Sequence, residues 1–404
     1  MKELREYNFK SEILEDKWST YKLRDIIKFS KKGKIPDYVN GIEGNILLGI
    51  EYLENKGLVK YVSNKSDTQR NDILILWDGS QAGKVFTNYE GVLGSTFVSI
   101  SLEDAFDSNY VYQYLRKHLN TIQTNWREGS GIPHVSKDFF DYFQILIPDN
   151  IKEQQKISEI LSIVDDQIEQ TGQLIEKTKY LKNGLMQQLL TKGTGHTEFK
   201  QTDVGKIPVD WEYNYIDNFA ERQSGHTPNK QTSSYWNGTI PWISLADLSR
   251  LDKRFISETT TYTTKEGIDN SSAVLLPKGT VVISRDATVG KIGITGQQMA
   301  TSQHFINYIC SRTLDNIYLY YYLSFQKKSF ERFATGSTIK TIGLDYFKKL
   351  KILVPPLEEQ QKIANILSSV DEKIAVYEKE KATYEKLRKG LMQQLLTGRT
   401  RVTI

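Results

Sequence analysis

A chain of 404 residues, 39% hydrophobic and 25% charged, has the makeup of a soluble protein with several domains of roughly 100–200 residues each. Its single cysteine, Cys310, excludes a disulfide framework and a cysteine-based zinc site, and fits a reducing compartment. A net charge of +4 permits nucleic-acid binding without demanding it; no apolar run approaches the ~18 residues of a membrane span, and "MKELREYNFK" carries no signal-peptide core, so a cytoplasmic protein with no membrane partner is expected.

Residues 1–150 read as a first globular domain, opening at Trp18. Within it, "NDILILWDGSQAGKV" (Asn71–Val85) predicts a strand, a turn, a Gly-Lys pair and a second strand. The turn is not a Walker loop, because three residues rather than four separate its glycines and Val85 stands where Mg²⁺ would need Ser or Thr. It is either a hairpin tip offering Lys84 to a phosphate or a plain structural turn. Pro36-Asp37 with Glu54-Asn55-Lys56 loosely resembles a nuclease centre, but so loose a pattern is common in charged chains and predicts no catalysis. An aromatic helix, "NYVYQYLRKHL", then precedes "REGSGIPHVSKDFFDYFQILIP" (Arg127–Pro148), a glycine loop followed by a strand.

Residues 151–193 read as one long helix, with Ile157, Leu161, Val164, Ile168, Leu174, Thr178, Leu181, Leu185 and Leu189 along a 3–4 spaced seam. Pro148 stands before it and Gly193 just past its end. Residues 194–355 form a second globular domain and 356–404 a second helical region, seamed by Ile363, Leu367, Val370, Ile374, Tyr377, Tyr384, Leu387, Leu391 and Leu395.

The second half repeats the first. Aligned without a gap, Glu153–Thr191 and Glu359–Thr397 share 11 of their first 16 positions, none of the next 12 and 9 of the last 11, including "GLMQQLLT" twice. "KGTVVISRDATVGKI" (Lys278–Ile292) lies over the first hairpin, "IYLYYYLSFQK" over the aromatic helix, and "ATGSTIKTIGLDYFKKLKILVP" (Ala334–Pro355) over the glycine loop. The tyrosines Tyr318, Tyr320, Tyr321 and Tyr322 have helical spacing that favours core over base stacking. The expected fold is therefore α+β: two similar α/β domains separated by two long helices packed as an antiparallel coiled coil, a pseudo-twofold internal repeat. Two diverged heads at a fixed separation suit a ligand that itself repeats, as DNA does every ~34–36 Å.

No reaction centre emerges. The five histidines lack ligand spacing, no dinucleotide fingerprint follows a strand, and "VPPL" (Val354–Leu357) lacks the residues flanking an amino-methyltransferase motif. The candidate DNA contacts are the hairpin tips and glycine loops: Gln81, Lys84, Arg127, Gly129, Ser130, Gly131 and His134 in the first domain, with Arg285, Lys291, Gln303, Gly336, Ser337, Thr338 and Lys340 in the second. Backbone amides of glycine loops approach phosphates, Arg suits guanine and Gln suits adenine. Gly184 and Gly390 each cost about 1 kcal/mol inside a helix, so their repetition suggests a close backbone approach. With Gln187, Gln188, Gln393 and Gln394, and with Gln154, Gln155, Gln360 and Gln361 at the helix starts, they are the expected partner-docking residues.

"VPPLEEQQKIANILSSVDEKI", "LRKGLMQQLLTG" and "FKQTDVGKIPVDWE" (Phe199–Glu212) resemble the specificity subunit of type I restriction–modification systems, and the resemblance spans the chain. It implies two target recognition domains reading a bipartite, asymmetric double-stranded DNA site, with a spacer set by the helices. It further implies a non-catalytic subunit with no cofactor of its own, docked to two methyltransferase (modification) subunits that use S-adenosylmethionine and to a restriction subunit that uses ATP and Mg²⁺. The N-terminal "YNFKSEILEDKWSTYKL" departs from the pattern in lacking the Gly-x-Ile-Pro found at Gly205–Pro208. A solitary methyltransferase or nuclease, and a scaffold with no DNA role, are the alternatives; a methylation assay on the chain and salt-dependent DNA binding distinguish them.

Overall fold

The computed structural model describes residues 17–39, 43–129, 131–336 and 340–404. The chain divides into two units that each draw on both long helices: Met1–Gly172 with Lys379–Ile404, and Gln173–Glu378.

In the first unit the unbroken Ile-Leu-Ile-Leu of Ile73–Leu76 is fully buried. It lies inside a four-stranded antiparallel sheet, between Phe97–Leu102 and Val85–Phe86, with Ile27–Lys32 at the far edge. A second sheet sets Asn45–Leu48 between Tyr61–Val62 and Val92–Leu93, the last pairing parallel. The second unit repeats both: Val281–Ser284 lies between Phe305–Cys310 and Ile292–Thr295, and Trp236–Ile243 between Thr261–Thr263 and Ala300–Thr301. The expected strand, turn, Gly-Lys and strand are present in each. Gly83 (φ +94°) and Gly290 (φ +77°) close the turns in the left-handed region that side chains disfavour.

The long helices run Ile151–Lys192 and Leu357–Leu395, and Gly193 (φ +68°) and Gly398 (φ +72°) follow them in the left-handed conformation of a helix stop. Within each unit the two helical segments are antiparallel. Asp165 meets Arg388 at 2.5 Å and Glu153 meets Arg401 at 2.6 Å in the first; Lys182 meets Asp371 at 2.6 Å and Lys179 meets Glu378 at 3.2 Å in the second. Asp165 matches Asp371 in the repeat, and Lys182 matches Arg388, so one ion pair is made twice. Each aspartate also holds the aromatic helix of its unit, through Arg116 (2.6 Å) and Gln113 (2.8 Å) or through the Tyr321 hydroxyl (2.7 Å).

These contacts account for the apolar and anchoring positions that the ends of the repeat share. The front ends anchor a globular head, and the back ends enter a core: Met186, Leu189 and Leu190 pack with Trp211 and Ile363, and Met392, Leu395 and Leu396 with Trp18 and Ile157. Full burial of each such side chain contributes roughly 1.5–3 kcal/mol. The tyrosine helix is core as its spacing indicates, with Tyr318, Tyr321 and Tyr322 buried.

The seam departs from expectation in its middle. Leu174, Leu181 and Leu387 are exposed, and the buried stripe passes instead through Thr171 and Ile175. Thr171 can be buried because its hydroxyl donates to the Gln167 carbonyl, 2.7 Å away.

Candidate nucleic-acid interface

Each unit stitches its hairpin tip to its glycine loop. In the first, Gly79 N–H donates to the Pro133 carbonyl (2.7 Å), Val135 N–H to Trp77 (2.8 Å) and Arg127 Nη1 to the Ser80 carbonyl (3.1 Å). In the second, Ala287 N–H donates to the Lys340 carbonyl (3.0 Å) and Ile342 N–H to Arg285 (2.9 Å). Gln81, Lys84, Arg127, Gly129, Gly131 and His134 therefore share one loop cluster, and Arg285, Lys291, Gln303, Gly336 and Lys340 another. Ser130, Ser337 and Thr338 lie outside the described residues. Gly129 has φ +94°, and a Cβ there would stand 2.8 Å from the Ile132 carbonyl oxygen.

The matching bonds also shift the alignment by one residue. Asp78 bridges to His134 and Asp286 to Thr341, so Asp286, not Arg285, is the counterpart of Asp78. Asp78 carries an ion pair to Lys32 (2.9 Å), and Asp286 accepts from His304 Nδ1 (2.8 Å). Ala287, at φ +61°, occupies the place of Gly79 at φ +119°. Replacing Ala287 with glycine should raise the unfolding free energy of the second unit by up to about 1 kcal/mol, measured by urea titration. A loss of stability would show instead that the methyl group packs.

Three of the expected DNA contacts have partners within the chain. Lys84 is ion-paired to Glu54 and Lys291 to Asp252. Lys56 and Lys84 hold the Glu54 carboxyl below its ordinary range. The Arg285 side chain is largely buried and its Nε donates to the Ile342 carbonyl at 3.0 Å, which ties the hairpin tip to the strand after the glycine loop. Arg127 and Lys340 remain exposed, and His134 is half-buried. Gln303 accepts a hydrogen bond from the Thr227 hydroxyl.

Beside each cluster lies a groove that no sequence pattern marked. In the second unit Thr227, Lys230, Trp236, Trp242, Ser302 and Gln303 line a cavity of about 480 Å³; in the first, Pro36, Tyr38, Tyr52, Leu58, Lys60 and Thr96 line one of about 280 Å³. The two are equivalent in the fold. Ser302 N–H donates to the Ile243 carbonyl (2.8 Å) as Gly94 N–H donates to Leu48 (3.2 Å), at the end of the same parallel strand pair. The turn residues Gly94, Ser95 and Thr96 correspond to Ser302, Gln303 and His304 of the other copy, and at no position is the residue type shared.

The family model described as the type I restriction modification DNA specificity domain matches residues 15–180 and again 208–386. The chain belongs to the type I restriction–modification specificity subunits. The MjaVIII specificity subunit of Methanocaldococcus jannaschii is 30% identical to it across 98% of this chain and 97% of its own length. The EcoR124I/EcoR124II specificity subunit of Escherichia coli is 27% identical across 66% of this chain and 64% of its own. The crystal structure of the S subunit of a type I system from M. genitalium shares the fold, with a TM-score of 0.64 at 16% identity, over 95% of this chain and 98% of that one.

In this specificity subunit the glutamines at the helix starts have two fates. Gln155 and Gln361 are exposed, but Gln154 and Gln360 are buried and fully engaged. Gln154 accepts from Asp107 N–H (2.8 Å) and donates to the Pro148 carbonyl (2.9 Å); Gln360 accepts from Asp315 N–H (2.8 Å) and donates to Pro355 (2.8 Å). They pin each helix to its own head. Gln187, Gln188, Gln393 and Gln394 are exposed, as are Gly184 and Gly390. Apart from the chain neighbours and the helix's own backbone, no described atom comes within 4 Å of a Cβ built on either glycine. Among the described residues no helix is long and apolar enough to cross a membrane.

Proposed function

We infer that this specificity subunit reads a bipartite, asymmetric DNA site, one half through the loop cluster and groove of each unit. The observation that carries this is the pairing of duplicated anchors with unlike linings: Asp165 and Asp371 make the same ion pair to the other helix, while Ser302-Gln303-His304 and Gly94-Ser95-Thr96 match at no position. Arg127 and Lys340 supply exposed charge to the phosphates, and glycine loops let backbone approach them. The exposed face of each "GLMQQLLT" helix end docks one adenine methyltransferase subunit, two in all, and a restriction subunit completes the complex. S-adenosylmethionine, ATP and Mg²⁺ then belong to those partners, and this chain does no chemistry of its own, within a cytoplasmic complex.

The test is a modified-base map of host DNA with and without the gene. Loss of one split, adenine-methylated motif is the expected result; an unchanged map in cells expressing the methyltransferase overturns the reading. The helices carry a second expectation. Inserting about one helical turn within Thr171–Lys179 should lengthen the spacer of the methylated motif and leave both half-sites as they were, which the same map reads out. Changed half-site bases would refute a spacer role for this segment.

A further inference from the structure

We propose that His304 reads one base of the second unit's half-site, its Nε2 accepting a hydrogen bond from the exocyclic amine of an adenine or a cytosine. This rests on the DNA-reading role inferred above and adds which atom of the chain meets a base edge.

His304 is held from two directions. Its carbonyl accepts from Arg285 N–H (2.8 Å), and its Nδ1 lies 2.8 Å from Asp286 Oδ2, so the hairpin tip fixes both the main chain and the ring. Asp286 is fixed in turn, because its backbone bridges to Thr341. A carboxylate only accepts, so Nδ1 carries the proton of this bond, and Nε2 is the lone-pair nitrogen of the singly protonated ring. Nε2 is neither buried nor hydrogen-bonded among the described residues, and it belongs to a side chain 32% exposed. An oriented acceptor with nothing in the chain to satisfy it is a preorganised reading group.

The chemistry of the bases selects its partner. In the major groove adenine N6 and cytosine N4 donate, whereas guanine and thymine present acceptors there. Phosphate oxygens also only accept, so a lone pair gains nothing from the backbone. The first unit keeps the holder and changes what is held. Thr96 stands at the place of His304, its carbonyl accepting from Trp77 N–H (2.7 Å), and the Asp78 carboxylate pairs with Lys32 (2.9 Å). An ammonium only donates, so one shared carboxylate orients an acceptor in one unit and a donor in the other.

Asp286→Asn inverts the arrangement. Arg285 Nε stands 3.9 Å from Asp286 Oδ1, an oxygen with no hydrogen bond of its own. An asparagine therefore keeps its oxygen toward the guanidinium and turns its amide to Nδ1, which moves the ring proton to Nε2 and makes the reader a donor.

The experiment compares wild type, His304→Ala and Asp286→Asn, each as the full chain bound to its methyltransferase partner. Affinity is measured on duplexes carrying the mapped motif, with each adenine replaced in turn by purine and each cytosine by 2-pyrimidinone, which lack the amine. At one position, in one half of the motif, amine removal should weaken the wild type about 3- to 30-fold beyond its effect on His304→Ala. That difference cancels any weakening of base pairing and any contact made by the methyltransferase itself. At the same position amine removal should strengthen binding by Asp286→Asn. His304→Ala truncates a half-exposed side chain and carries the test alone if Asp286→Asn does not fold. Equal effects on wild type and His304→Ala at every position would overturn the reading by His304 and leave the DNA-reading role standing. A loss in His304→Ala that is uniform over all duplexes would overturn it in favour of a phosphate contact. Amine removal that weakens Asp286→Asn as it does the wild type would overturn the orienting role of Asp286. A wild type that does not distinguish the motif from a scrambled duplex would overturn the DNA-reading role itself.

Discussion

Replacing Trp211 with alanine is expected to destabilise the second unit by about 3–5 kcal/mol. The side chain is fully buried, so its removal opens a cavity in the core that Met186, Leu189 and Leu190 enter from the helix end. It also removes a donor, because the indole Nε1 is 2.8 Å from Glu359 Oε2. Glu359 sits in a clasp whose other donors are Thr194 N–H (2.8 Å) and His196 Nε2 (2.8 Å). Burial opposes ionisation of this carboxyl, but the Thr194 amide, the Trp211 indole and His196 outweigh it and hold the group below the ordinary glutamate value of 4.5. The stability that follows is complete above that value and is lost as the pH falls through the depressed one. Trp211→Phe should keep most of the packing, lose the donor and flatten part of this acid dependence.

The first unit supplies the comparison. There Glu153 accepts from Arg401 Nε (2.6 Å) and Nη2 (2.7 Å), and the Trp18 indole nitrogen has no partner among the described residues. Removing Trp18 therefore leaves Glu153 paired, and Trp18→Ala should cost less than Trp211→Ala. Urea unfolding of the three variants between pH 3 and 7 measures this. A Trp211→Ala variant within about 1 kcal/mol of the parent would show that the clasp does not hold the unit together.

Much of this architecture is legible in the sequence because it is built from local signals repeated. The buried runs at Ile73–Leu76 and Val281–Ser284, the Gly-Lys turns and the stop glycines Gly193 and Gly398 are each specified within a few residues. The departures have two physical causes, a partner distant in the chain and a polar residue doing an apolar residue's task. The seam slips at Leu174 because hydropathy favours a leucine, whereas Thr171 is buried once its hydroxyl is satisfied within its own helix. Gln154 reads as a surface residue, yet its partners Asp107 and Pro148 are held by another helix and a strand. Lys84 reads as free because Glu54 lies 30 residues away. The grooves are the extreme case, since Thr227, Trp242 and Ser302 come from three separate segments and no spacing links them.

Gly184→Leu and Gly390→Leu should each release one methyltransferase subunit while leaving the chain as stable as before or more so. Leucine is a better helix former than glycine by about 0.8 kcal/mol, and both glycines lie inside the helices rather than at their ends. Outside the helix's own backbone and the chain neighbours no described atom lies within 4 Å of the new Cβ, so the substitution starts in open space. Packing inside the chain therefore gives no reason for glycine, while the neighbouring Met186, Leu189 and Leu190 are fully accounted for by the core. What remains of the repeated octamer is an open face of glycine and two glutamines, and a helix that must come close to another backbone there needs the missing side chain. A leucine in that contact adds bulk that well-packed interfaces do not absorb. The single variants should form complexes with one methyltransferase copy, the double variant with none, and methylation by the double variant should fall at least about 100-fold. Native mass spectrometry of the mixed subunits counts the copies directly. A double variant that still binds two would mean that the identical helix ends exist for the heads alone, and that the methyltransferases dock elsewhere.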